Sequence, residues 1–283
     1  MAEEQGRFDV WGGGRPAAGD AYERYMGRWS RRAAELFVSW LGCGPGLRWL
    51  DVGCGTGALT ATVAARCRPR TVVGVERSAA FTAAARAAVP PQVGLAVADG
   101  QRLPVRDASF DVAVSGLVLN FLPAPHDAVA EAVRAVRPGG TVAAYVWAYG
   151  DGMDLLDRFW AAATAADPAA AGLDERTRFP LCRPEPLRRL WTGAGLSEVA
   201  VTPVEPTAVL ADFTELWEPF LAGQGPAPGY VAALAPPARA RLHDALRAAV
   251  PARPDGSITL GLRAWAVRGR TPAVRPSRPT VMR

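Results

Sequence analysis

Residues 47–57 read Leu-Arg-Trp-Leu-Asp-Val-Gly-Cys-Gly-Thr-Gly, and this stretch restricts the fold more than any other. An apolar run closes on Asp51. Glycines then alternate at Gly53, Gly55 and Gly57, and Ala58-Leu59-Thr60 opens a helical pattern. The pattern predicts a strand, a tight turn and a helix start in direct succession. A turn without Cβ atoms lets an anionic or polar ligand approach its backbone N–H groups closely. The dinucleotide fingerprint G-x-G-x-x-G has its third glycine one position later than Gly57. The spacing here is G-x-G-x-G, which argues against a nicotinamide dinucleotide and an oxidoreductase.

Upstream, Tyr22, Tyr25, Met26, Trp29, Ala33, Leu36, Phe37 and Trp40 recur at helical spacing, and Gly42-Cys43-Gly44-Pro45 stops that helix. Downstream, strands are expected at 47–52, 71–75 ending on Glu76, 93–98 ending on Asp99, 110–114 ending near Ser115, and 141–147. Helices are expected at 58–66, from an N-cap at Ser78 to Val89, and at 124–136, the last broken by Pro138-Gly139-Gly140. Further helices are expected at 153–165 and 184–194, a sixth strand at 196–204 and a seventh at 258–267. Near-continuous apolar strands separated by helices predict a mostly parallel sheet covered on both faces. The domain would occupy 20–268, with a core at 45–148 and helical insertions at about 149–183 and 205–256. Residues 1–19, with Gly12-Gly13-Gly14, read as a flexible arm, and 269–283, where Pro and Arg alternate, as a disordered tail.

The formal net charge of +5 carries little information about partners. Every basic residue is arginine, and Arg270, Arg275, Arg278 and Arg283 lie in the last fifteen residues; without those four the balance is +1. A nearly neutral body offers no nucleic-acid footprint. Cys43, Cys54, Cys67 and Cys182 form no C-x-x-C pair and have only His126 and His243 to join them, so no metal site is expected. They read as free thiols of a cytoplasmic protein. No apolar run is long enough to span a bilayer, and Glu3 and Glu4 stand where a signal peptide would be basic and then apolar.

Glu76 lies 19 residues beyond Gly57, at the tip of the second strand, where a carboxylate accepts ribose hydroxyls. Its bland alternative is a solvated acid before a helix N-terminus. Asp99 and Gly100 close the third strand, where they would meet an adenine ring; the alternative is a turn Asp with a local hydrogen bond. Cys54 reads as a small residue that fits the turn rather than as a nucleophile.

Five stretches, LDVGCGTGALT, VVGVERS, ADGQRLPV, FDVAVSGLVLNFL and AVRPGGTVAAYVW, cover roughly residues 47–147. In that order they resemble class I S-adenosylmethionine (SAM) methyltransferases, of the group similar to the menaquinone/ubiquinone (type 11) enzymes. The resemblance implies a three-layer α/β/α Rossmann-like sandwich with strand order 3-2-1-4-5-7-6, its last strand antiparallel, and helical insertions forming a cap. It implies that Asp51, Gly53, Cys54, Gly55 and Gly57 surround the methionine part of SAM. Glu76 would meet the ribose, Arg77 the adenine, and Asp99 with Gly100 its amino group, while Ser115 and Leu117 stand beside the methyl donor. The activity implied is in-line transfer of the methyl group to a small-molecule acceptor, leaving S-adenosylhomocysteine (SAH).

For the remaining pocket, Tyr22, Tyr25 and Trp29 share a helix face that would cover the cofactor, with Arg28 pairing to its carboxylate. Trp147 and Tyr149 follow the fifth strand. Asn120 follows the fourth, and Trp217 and Phe220 share an insertion face with Phe213. Such aromatic stripes are equally consistent with core packing. His126 is the one candidate base, although its Pro-Ala-Pro-His-Asp context also describes an exposed helix start. Two alternatives remain: a methyltransferase acting on RNA or protein, and a SAM-binding enzyme without methyl transfer, such as a cyclase. The fourth strand ends in Val-Ser-Gly-Leu and lacks the Asp/Asn-Pro-Pro-aromatic motif of nucleic-acid amino methylation. A monomer or homodimer is expected, with no membrane association.

Overall fold

A computed structural model describes residues 23–222 and 225–273. The expected arm, Tyr22 and the tail from 274 onward lie outside the described residues. One wide turn at Glu23–Gly27 leads into α1 (Arg28–Leu41). That helix ends where Gly42 turns left-handed, at φ 60°, and returns its N–H to the Val38 carbonyl. Then follow β1 (Arg48–Val52), α2 (Ala58–Arg66), β2 (Thr71–Glu76), α3 (Ala79–Ala88), β3 (Gly94–Val97), β4 (Phe110–Gly116), α4 (Pro125–Ala135) and β5 (Val136–Trp147). Ser78 caps α3 as expected, its hydroxyl accepting the Phe81 N–H at 3.3 Å.

The second half contains α5 (Asp154–Ala166), α6 (Glu175–Arg178), α7 (Pro184–Gly193), β6 (Ser197–Val204), β7 (Thr207–Leu210), α8 (Phe213–Trp217), α9 (Pro226–Ala233), α10 (Pro236–Ala249), β8 (Ile258–Gly261) and β9 (Ala264–Arg270). The main sheet has seven strands in the order β3-β2-β1-β4-β5-β9-β6. Pairings from β3 through β5 are parallel, and β9 runs antiparallel to both β5 and β6. This is the expected α/β sandwich, with β9 as the antiparallel last strand. The order reverses between β1 and β4, and in an open α/β sheet ligands bind at the carboxyl ends of the strands beside such a reversal.

Three boundaries differ from the sequence reading. The run at 258–267 is two strands. Its first half, β8, pairs with β7 as a separate two-stranded ribbon, so the 205–256 insertion is not wholly helical. The chain changes sheets at Leu262 and Arg263, whose N–H groups reach the carbonyls of Pro206 and Gly152. An apolar run is continuous in sequence whether it serves one sheet or two. Next, β5 begins at Val136 rather than at 141. Phe110 pairs with Val136 and Val112 with Thr141, so Pro138-Gly139-Gly140 forms a bulge. A Cβ on Gly140 would lie 2.6 Å from the Asp111 carbonyl, which explains the glycine. Finally, β9 reaches Arg270, and buried Thr271 donates its hydroxyl to the Arg137 carbonyl at 2.6 Å. The ordered domain therefore passes the expected limit at 268.

Candidate active site

The strands fray at their carboxyl ends into a cavity of about 150 Å³; the next two cavities hold about 10 Å³ each. Its floor is the glycine turn, and its walls are the residues just past β2 and β4 and the end of β5. Its roof comes from Tyr25, Met26 and Ser30 at the first helix, Leu156 on α5 and Glu175 on α6.

The turn provides room rather than free donors. Gly53 and Cys54 both donate their N–H groups to the Val75 carbonyl, at 2.8 and 3.0 Å, which ties the end of β1 to β2. Gly55 donates to Glu76 Oε2 at 3.1 Å, and Gly57 donates to the Cys54 carbonyl at 2.8 Å. Gly53, Gly55 and Gly57 all have positive φ, which side-chain-bearing residues rarely adopt. Each glycine serves a different purpose. A Cβ on Gly53 would strike Val118 at 2.6 Å, and one on Gly57 would press on Val89 and Ala85. A Cβ on Gly55 would meet nothing within 4 Å, so Gly55 faces the open cavity. Gly57 does not line the cavity; it lets α2 pack closely on α3.

Three carboxyls line this space. Asp51 is 1% exposed and accepts the Thr60 hydroxyl on Oδ2 at 2.6 Å, while its Oδ1 is buried with no hydrogen-bond partner among the described residues. Burial, reinforced by nearby Glu76 and opposed by Thr60, pushes the Asp51 carboxyl up to about 7. Glu76 accepts from the N–H groups of Gly55 and Ser78, the latter at 2.8 Å; burial raises its pKa despite those bonds. Glu175 was not singled out in the sequence. It is 1% exposed, accepts from the Trp160 indole N–H, and is pushed up to about 8, chiefly by burial.

Of the predicted cofactor residues, Tyr25, Asp51, Gly53, Cys54, Gly55, Glu76, Arg77 and Leu117 line the cavity, as do Trp147 and Tyr149 from the predicted substrate set. Burial raises the pKa of the Cys54 thiol, so it is not a nucleophile. Leu117 holds a left-handed φ of 62° and donates its N–H to the Tyr145 carbonyl. Thr56, Phe81, Phe121 and Tyr145 also line the cavity. Gly116 signals the last of these, because a Cβ there would lie 2.7 Å from the Tyr145 hydroxyl.

The other candidates stand elsewhere. Arg28 is taken by Glu215 and lies 4.1 Å over the Trp29 ring, away from the cavity. Ser115 faces the helix side of β4, among Ala128, Val129 and Ala132, because strand residues alternate in direction. Asp99 is exposed and caps its own turn, accepting the Gln101 N–H at 2.9 Å, while Gly100 abuts Val52. Asn120 is half-buried on the turn after β4 and outside the lining. Trp29, Trp217 and Phe220 are core: Phe220 stacks on Phe159 at 4.6 Å, and Trp217 meets His243 edge-on at 5.2 Å. The His126 side chain is 72% exposed on α4 and faces only Asp127, so it has no access to the cavity.

Residues 50–144 match the family described as the methyltransferase domain. The core of the chain is thus similar to the methyltransferase domain family, and its fold is the one found in solved SAM-dependent methyltransferases. Trans-aconitate 2-methyltransferase of Deinococcus radiodurans is 38% identical over 97 residues, 34% of this chain and 36% of that protein. A 37.1 kDa protein encoded in a transposon of Streptomyces fradiae is 34% identical over 114 residues, 39% of this chain and 33% of its own length. The chain thus spans about a third of the length of these curated relatives. Phosphoethanolamine N-methyltransferase 2 of Haemonchus contortus, solved with SAM, shares the fold of the methyltransferase domain. Its TM-score is 0.58 at 17% identity, over 91% of this chain and 57% of that one. No helix among the described residues is long and apolar enough to cross a membrane.

Proposed function

We propose that this protein transfers the methyl group of SAM to a small-molecule acceptor held beneath the cap. The observation that carries the reading is the cavity where the strand order reverses, with open space at Gly55, Glu76 at its edge and an unpaired Asp51 Oδ1 inside it. These features fit a cofactor with ribose hydroxyls and an ammonium group. SAM, when bound, supplies an electrophilic methyl group on a sulfonium.

The chain's residues bind, orient and desolvate. Glu76, held by Gly55 and Ser78, keeps lone pairs for two hydroxyls. Asp51 offers an acceptor deep in the turn. Tyr145, Trp147 and Tyr149 line the cavity, and aromatic ring faces attract cations. Alignment of the reactants beneath the roof contributes much of the rate. His126 is exposed and Cys54 is held as a thiol, so neither serves as a base. The enclosing roof and the near-neutral body support a small acceptor over RNA or a protein chain.

The test is calorimetric titration with SAM and SAH, followed by a mass-spectrometric search of a cell extract for products gaining CH₂. Binding of both, with SAH formed from SAM as a product gains CH₂, is expected. Absence of binding defeats the reading, and binding without SAH formation favours a SAM-dependent cyclase.

A further inference from the structure

Besides Ser30, whose hydroxyl donates to the Met26 carbonyl, the roof contributes two polar side chains to the cavity, Tyr25 and Glu175. They come from the turn before α1 and from α6, and they are 3% and 1% exposed. Tyr25 Oη is buried with no hydrogen-bond partner among the described residues. A buried hydroxyl left unpaired is unfavourable, so its persistence in a cavity wall points to a ligand that pairs it. Glu175 Oε2 accepts the Trp160 indole N–H, so the proton of a neutral carboxyl goes to Oε1. Phe121, Leu122, Trp147 and Tyr149 line the same cavity.

We propose that Tyr25 Oη and the Glu175 carboxyl are paired hydrogen-bond donors that receive an oxyanion, and that the acceptor is an acidic aromatic or enolic hydroxyl compound, one that ionises more readily than the carboxyl facing it, bound in its ionised form. This deepens the methyl-transfer reading and rests on it for the word acceptor. Both groups are donors at neutral pH. Burial, and then Glu175, raise the Tyr25 phenol well above its ordinary value. Burial brings Glu175 to about 8; its own backbone N–H, the Trp160 indole and Arg178 pull it down less, and Asp174 adds to the rise. Cys182 also senses Glu175, and burial raises its thiol well above the ordinary value. Asp51, Glu76 and Arg77 are the remaining charged groups of the cavity. Neutral acids aimed into an apolar site stabilise a developing or bound oxyanion. An acceptor bound as the anion has given its proton to solvent on binding. This accounts for a cavity in which no histidine stands ready to take it.

The test uses para-nitrophenol as the probe, titrated into SAH-saturated protein at a pH well below the probe's own pKa. The bound probe is expected to show the phenolate absorbance band. Glu175→Leu and Tyr25→Phe should each weaken it by about tenfold or more, the range for a hydrogen bond to a charged group. Glu175→Gln keeps a donor and should retain binding. Wild-type affinity should fall as Glu175 ionises above about pH 8, and that fall should vanish in Glu175→Gln. A bound probe that stays neutral overturns the proposal. So does a Glu175→Gln variant as weak as Glu175→Leu, or an affinity that keeps rising with pH. Should Glu175→Leu not fold, wild type and Glu175→Gln decide the matter alone. SAH affinity, measured separately, should be unchanged in the Glu175 variants. If Tyr25→Phe weakens SAH and spares the probe, Tyr25 belongs to the cofactor and the proposal fails. If wild type binds no SAH at all, the methyl-transfer reading falls, and a phenolate band in the SAH-free protein still tests the donor pair.

Discussion

The glycine-turn edge and the roof above it reach the same cavity by different means. At the edge, backbone geometry does the positioning: Gly53 and Cys54 are tied to Val75, and Gly55 to Glu76, all within one β-α-β unit. In the roof, side chains from distant segments meet through packing. Tyr25 lies 5.4 Å edge-on from Phe220, which stacks on Phe159 of α5. The edge has one solution, because few backbones satisfy left-handed φ values at alternate positions. The roof has many, since aromatic residues pack in numerous arrangements of similar energy. The floor of the cavity is therefore written locally, and its roof is written in tertiary contacts.

The most severe test of this contrast is Gly55→Val. It would place a β-branched residue at φ 55° and fill the open space above the turn. SAM and SAH binding should disappear from calorimetry while most of the thermal stability survives. Persistent affinity would mean that the turn is not the cofactor site. Phe220→Ala should do the reverse. Removing a fully buried ring costs about 3–5 kcal/mol of stability, read as a lower denaturant midpoint, while protein that remains folded should still bind SAH.

Glu76→Ala comes next. It removes the acceptor for the Gly55 and Ser78 N–H groups together with the expected ribose contact. A loss of about 1.5–3 kcal/mol in SAH binding is expected, and wild-type affinity would make Glu76 a purely structural anchor. A pH series probes both regions at once. Asp51 and Glu175 have folded-state values raised to about 7 and about 8. The folded protein therefore holds protons that the unfolded chain has released, and their stabilising contribution, complete below about pH 4, fades as pH rises through 7 and 8. Thermal midpoints should decline across that window, and Glu175→Gln should remove the upper part of the decline. An upward trend would show that neither carboxyl is buried as described.

Arg28→Ala should have the smallest effect. Its ion pair with Glu215 joins side chains that are 35% and 36% exposed, and such pairs are worth about 0–1 kcal/mol. SAH affinity should not move. A clear loss would restore the expected contact with the cofactor carboxylate and blur the division between edge and roof.

Legibility followed the range of the interactions. Glycine spacing and strand periodicity located the turn, Glu76 and the strand order implied by the resemblance, because each rests on neighbours in sequence. Ser115 and Leu117 were expected together, but alternation along β4 and the turn after it separate them, and only Leu117 meets the cavity. Asp99 is expected at an adenine by position, and in the structure its exposed carboxylate accepts the Gln101 N–H two residues on. Glu175 carried no signal at all. It follows a turn Asp in Asp-Glu-Arg-Thr, a solvated charge run by composition, and only the packing of α5 and α6 buries it beneath Trp160.

The sequence alone determined a parallel α/β core, a glycine turn spaced differently from that of dinucleotide sites, and an acid at the tip of the second strand. These depend on backbone sterics and on periodicities of a few residues, which a linear chain displays directly. The tertiary structure decided which aromatic residues are core and which are wall. It divided 258–267 between two sheets and gave Arg28 to Glu215 rather than to a ligand. It also sealed Glu175 and Tyr25 into the roof. Desolvation and partner choice depend on the summed surroundings of a side chain, and no local pattern records them.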